Sequence, residues 1–187
     1  MAIHLLVNEL QKLRESSKHA VAQGGSYSLD KFREYLHIER EVERKLRDQI
    51  KHCAQQEKAQ LLMVCGNVGD GKSHILSFLN KELASEMDQF TIHNDATESH
   101  NPNDSSNDTL HKVLKGFRDE NITNSTSKII LAINLGTLSK FLEEHGSEYT
   151  HLFGYVSAKK ILDTDVIHEE HFDKKSVFHH VNFTDYH

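Results

Sequence analysis

Apolar positions along this chain change their spacing several times, and each change marks a new element. Ile3, Leu5, Leu6, Leu10 and Leu13 fall near one helical face. The Gly24-Gly25-Ser26 stretch breaks that helix, and Ser28 offers an N-cap for a new start. Over residues 40–58, Val42, Leu46 and Ile50 recur every four positions among Glu, Lys, Arg and Gln, which predicts an amphipathic helix with a solvated, charged outer face. Gln60–Cys65 is a short apolar run that stops at a glycine, the length of a buried strand in a parallel sheet. Helical spacing returns at Ile75, Leu76, Phe78, Leu79 and Leu83, within residues 72–86.

Phe90–His93 reads as a second strand, residues 94–109 as a polar loop, and Thr109–Phe117 as a helix. Ile122–Ser127 is a polar linker. Lys128–Asn134 is the clearest buried strand, and Leu138–Glu144 is helical. Further on, the pattern predicts a short helix at 158–163, an acidic, His-rich loop, and a strand at Val177–Phe183. Strand and helix alternate from residue 60 onward, so the expected class is α/β, a parallel sheet flanked by helices. An N-terminal helical segment, residues 1–58, is expected to pack on a core spanning 59–187.

Composition narrows the class without changing it. A chain of 187 residues suits one domain, and 37% hydrophobic with 27% charged residues is the balance of a soluble globular protein. A formal charge of −6 creates no global attraction to nucleic acid or to an anionic membrane. No stretch has the length of a membrane span and no secretory signal opens the chain, so a cytoplasmic setting is expected. The two cysteines, Cys53 and Cys65, lack CxxC spacing, and Cys65 reads as a buried free thiol.

Gly66-Asn-Val-Gly-Asp-Gly-Lys-Ser73 matches G-x-x-x-x-G-K-[ST], the phosphate-binding P-loop. A triphosphate crowds anionic oxygens into a small volume. Backbone N–H groups must converge on them, and Gly66, Gly69 and Gly71 let the loop curl without Cβ clashes. The helix that follows aims its positive end at the phosphates. Lys72 would reach the β- and γ-phosphates, and the Ser73 hydroxyl would ligate Mg²⁺. Contacts are expected from Gly66 through Asn67, Val68, Gly69, Asp70 and Gly71 to Lys72, Ser73 and His74, with ATP as the nucleotide. The Asp70 carboxylate, an odd neighbour for phosphate, is expected to point outward. Chance produces such a match roughly once in a hundred chains of this length, and the strand before it and helix after it lower that further.

A hydrolysing P-loop enzyme usually places an acid after a second apolar strand. Here Lys128–Ile133 is followed by Asn134. Asn134 could be a polar sensor of the γ-phosphate or a turn residue ending the strand. Asp95, after Phe90–His93, could supply the acid, with Glu98 a weaker substitute, or cap a local turn. The acid could also lie outside this chain, or be absent. His168-Glu-Glu-His171 lacks a third ligand at metal-binding spacing, and His179 and His180 would face opposite sides of a strand. Arg40, Arg44, Lys45 and Arg47 could touch nucleic acid, although acids interleave them.

His37-Ile-Glu-Arg40, Val64–His74, His93–Ser99, Leu131–Gly136 and Val181–His187 together resemble the N-terminal part of the DptF family of DNA phosphorothioation-dependent restriction proteins. The resemblance implies a P-loop ATPase component of a bacterial defence system that binds ATP and Mg²⁺. It also implies other restriction-system proteins as partners, DNA reached through the complex, and no membrane. Gly66, Gly71, Lys72 and Ser73 carry over as nucleotide-binding residues. Family members are longer, so a fragment is expected. An assembly of several copies would draw an arginine from a neighbour, for which Arg118 is a candidate. Two other readings stay open: a non-hydrolysing nucleotide-binding module, and a small-molecule or nucleotide kinase with 94–109 as its lid.

Overall fold

The computed structural model describes residues 37–93, 106–163 and 172–186. Four strands form one sheet: β1 (Gln60–Cys65), β2 (Thr91–His93), β3 (Lys128–Ile133) and β4 (Phe178–Asn182). They lie in the order β2-β3-β1-β4, and every pairing is parallel. The helices are α1 (Glu41–Ala54), α2 (Lys72–Glu82), α3 (Ala84–Met87), α4 (Ser106–Val113), α5 (Leu135–His145) and α6 (Thr150–Ala158). Short 3₁₀ turns follow α4 at Leu114–Phe117 and β4 at Phe183–Tyr186. The class is therefore α/β, with helices on an all-parallel sheet.

Period-two alternation sorts the core into two halves. Leu62, Val64, Ile130, Ala132 and Val181 face α1, α2 and α3, meeting Val42, Leu46, Ile50, Leu76 and Leu79. Leu61, Met63, Cys65, Ile129, Leu131 and Ile133 face the opposite layer, meeting Leu110, Phe117, Leu138, Phe141, Tyr149, Leu152 and Val156. All six residues of β1 are buried, which explains why its sequence does not alternate. Deleting one such side chain, as in Leu62→Ala, typically costs about 2–5 kcal/mol.

Several boundaries differ from the sequence reading. The charged face of α1 is only partly solvated: Glu41, Arg44, Asp48 and Lys51 are exposed, but Glu43 is fully buried. The helix beginning at Lys72 breaks at Leu83, whose φ of −113° and ψ of 41° separate α2 from α3. α4 starts at Ser106, inside the stretch expected to be loop. α5 starts at Leu135 because Asn134 caps it directly. The helix expected at 158–163 instead occupies Thr150–Ala158, where Leu152 and Val156 bury one face. Cys53 and Cys65 are both buried free thiols. The segment around Ile3–Leu13, the Gly24–Ser28 break, Asp95, Glu98 and His168–His171 lie outside the described residues. No helix among the described residues is long and apolar enough to cross a membrane.

Candidate functional site

Every strand presents its carboxyl end to the same edge of a parallel sheet. The chain leaves β1 toward β2 on one side, whereas β4 pairs on the other. In open α/β sheets such a reversal opens a crevice beyond the strand ends, where ligands bind. Residues 66–71 span that position, between the last residue of β1 and the first turn of α2.

Gly66, Gly69 and Gly71 have φ values of 155°, 93° and 86°. A Cβ on Gly66 would come within 2.7 Å of Asp70 Oδ2 and 2.9 Å of Phe183 Cβ. The glycine there is thus required by both space and backbone. The N–H groups of Val68, Gly69 and Gly71 find no acceptor among the described residues. Exposed N–H groups in a curled, glycine-containing loop form a concave anion-binding surface. Gly71 is also the N-cap of α2 and provides no capping side chain, so the helix's positive end opens onto the loop.

Two side chains occupy the loop itself. Lys72 Nζ donates to Gly66 O at 2.9 Å and to Asn67 O at 2.6 Å, folding the amine across the loop. The Asp70 carboxylate does not point outward as expected. Its Oδ2 accepts the Asn67 N–H at 2.5 Å. The reason is local: a three-residue separation lets the carboxylate reach back to an otherwise orphaned loop donor, as the N3 carboxylate does in a capping box. Ser73 and His74 begin α2, and the Ser77 hydroxyl donates to Ser73 O at 2.8 Å.

Residues before α1 brace the loop from behind. Arg40 Nη1 donates to Asp70 O at 2.8 Å, and its guanidinium lies 5.5 Å from the centre of the Phe183 ring, a cation–π contact. His37 stacks on Phe78 at 3.7 Å between ring centres, and its Nδ1 lies 3.2 Å from His74 Nε2. His37 Nε2 in turn lies 3.1 Å from Glu43 Oε2. Arg47 pairs with Glu43 at 2.9 Å, with Glu39 at 2.8 Å and with Glu82 at 3.0 Å. Burial pushes the Glu43 carboxyl above its ordinary range, against the pull of His37 and Arg47. Arg40 and Arg47 are thus engaged within the protein rather than presented as a basic surface.

Asn134 immediately follows β3. Since Cys65 pairs with Ile133, it sits beside the start of the loop. Its Oδ1 accepts the Thr137 N–H at 2.7 Å and so caps α5. Asp95 follows β2 within the undescribed stretch, so its distance from the loop is not defined. His179 and His180 do face opposite sides of β4: His179 Nε2 lies 2.9 Å from Gln60 Oε1, and His180 Nδ1 lies 2.9 Å from the Tyr155 hydroxyl of α6. The sequence reading missed the roles of His37, Arg40 and Phe183. Their signal is absent from the loop motif because they reach it from 26 or more positions away. Comparison with protein-family models, curated proteins and solved structures finds no match to this chain.

Proposed function

We propose that residues 66–74 bind a nucleoside triphosphate, ATP, together with Mg²⁺, and that the chain is a P-loop NTPase module. The observation that carries this reading is the loop at the carboxyl edge of β1: a G-x-x-x-x-G-K-S sequence with three positive-φ glycines, unpaired N–H groups and a helix N-terminus behind it. The donor set fits a polyphosphate. Backbone N–H groups of Val68, Gly69 and Gly71 would take phosphate oxygens. Lys72 would exchange its carbonyl partners for the β- and γ-phosphates. Ser73 would be the protein ligand to Mg²⁺, whose chemistry when bound is neutralisation of phosphate charge.

Turnover needs a group that orients water. Asp95 and Asn134 are the two candidates. The capping bond of Asn134 leaves its amide nitrogen for that task. The second reading, a nucleotide-binding module that does not hydrolyse ATP by itself, is favoured by one feature: the strand beside β1 ends in a capping Asn rather than an acid. The resemblance in wording to the phosphorothioation-dependent restriction family supports a role beside other restriction proteins on DNA.

Lys72→Ala tests the core of the reading. ATP binding measured by isothermal titration should fall at least about tenfold for loss of one charge-assisted phosphate contact. Undiminished binding by a folded variant would refute it. Steady ATP release of phosphate by wild-type protein, lost in Asn134→Ser or Asp95→Asn, would decide against the non-hydrolysing module.

A further inference from the structure

A second cluster of chemistry-bearing side chains lies away from the loop. His145 closes α5, eleven residues after that helix leaves the loop edge, a run of about 16 Å. There it meets His111 from α4 and Glu148 from the turn before α6. One ligand atom from each of the three lies within 4.8 Å of the others. We propose that His111, His145 and Glu148 form a binding site for a divalent transition metal of the zinc type. The site is independent of the nucleotide reading.

The donor atoms are oriented for this. Glu148 Oε2 lies 3.9 Å from His111 Nε2, and Oε1 lies 3.9 Å from His145 Nδ1. Ligands about 2.1 Å from a tetrahedral ion sit about 3.4 Å apart, so the side chains need to close by less than 1 Å on those two edges. The His111 tautomer is set from its far side. Tyr149 is fully buried, and its hydroxyl donates to His111 O at 3.3 Å. That leaves the hydroxyl's lone pairs to be shared between Arg118 and His111 Nδ1, 3.4 Å away. A proton on Nδ1 leaves Nε2 bare and facing the cluster. This is the arrangement that orients metal-binding imidazoles, whose second nitrogen is held by an outer partner. Two imidazoles and one carboxylate are a zinc-type donor set with a further position for water.

Arg118 shows that the cluster collects positive charge. Its Nη2 contacts His111 Nε2, and its Nε lies 3.6 Å from Glu148. The guanidinium is shared among His111, Glu148 and the Tyr149 hydroxyl, although its Nε makes no hydrogen bond. It also has Glu120 at 3.8 Å to turn toward. A divalent ion would therefore replace a singly charged side chain, and would tie α4 to the end of α5 and the start of α6.

The test uses the full chain, stripped of metal and nucleotide. Titration with Co²⁺ should give the visible bands of a tetrahedral N/O site, and zinc calorimetry should show a site that raises the melting temperature. The double variant H111Q/H145Q, checked for folding by circular dichroism, should lose the bands and bind zinc at least about a hundredfold more weakly. R118A should bind severalfold more tightly than wild type, since the resident cation is gone. No Co²⁺ bands in folded wild type, equal zinc binding by H111Q/H145Q, or R118A binding no better than wild type would each overturn the proposal. None of these readouts depends on whether residues 66–74 bind ATP.

Discussion

His179 provides the sharpest test of how the sheet was assembled. It lies on β4, 2% exposed, with its Nε2 against the Gln60 amide oxygen and His52 and Phe172 rings nearby. Burial pushes its imidazole down from the ordinary 6.5 to about 4, with the neighbouring His52 acting in the same direction. The unfolded chain therefore binds a proton between those two values that the folded chain refuses. Stability is fully present above pH 6.5, falls as the pH drops, and stops falling below about 4. The gap, at about 1.4 kcal/mol per pH unit, amounts to about 3 kcal/mol in strong acid and about 2 kcal/mol between pH 7.5 and pH 5. His179→Gln removes the titrating ring and keeps an amide donor for Gln60. Urea unfolding of both proteins at about pH 7.5 and pH 5 isolates the term, because the other histidines contribute equally to each. Wild type should lose about 2 kcal/mol more than the variant over that interval. Equal losses, or an NMR titration in which the His179 ring protonates near 6.5, would refute the reasoning.

Two further perturbations follow from the loop edge. On the nucleotide-binding proposal, Asp70→Asn removes a negative charge from the loop at residues 66–71 and still leaves an oxygen for the Asn67 N–H. ATP binding by calorimetry should tighten about three- to tenfold, on the order of 1 kcal/mol for an incompletely screened charge; weaker binding would show that the carboxylate supports the loop rather than competing with phosphate. Asn134→Ala should cost about 1 kcal/mol of unfolding free energy through the lost cap on α5, and Asn134→Ser should restore most of it; a variant as stable as wild type would mean that the Thr137 N–H does not need this acceptor.

The elements legible in sequence are those whose signal is both local and two-sided. After their first residues, Gln60 and Lys128, β1 and β3 are continuous apolar runs because helices cover both of their faces, so no polar alternation interrupts them. The glycine-rich loop at residues 66–71 is legible because its backbone donors, its glycines and the following lysine are contiguous. The start of α5 was missed by three residues, since Leu135-Gly136-Thr137 has poor helical propensity and is helical only because Asn134 caps it. α6 was misplaced because Gly154 interrupts a helix that burial of Leu152 and Val156 stabilises. The inward turn of Asp70 depends on loop closure, and the bracing by His37, Arg40 and Phe183 depends on long-range docking. Neither can be read from spacing. Glu43 shows the same limit: its period places it in a charged run, but only the fold brings His37 and Arg47 to its carboxylate.

The pinning of α1 to α2 has a mechanical consequence. His37 reaches the first turn of α2 through His74 and its second through Phe78, while Arg47 holds Glu82 at its last residue. Arg40 grips the loop carbonyl between those points. Side chains from α1 and the residues before it thus hold α2 at both of its ends. A displacement of the loop helix would strain these contacts and pull on His37–Arg40. Residues 37–40 are therefore coupled to the loop as a pointer is to a dial, and a label placed at the exposed Ile38 would read out movement at Lys72 without touching the site.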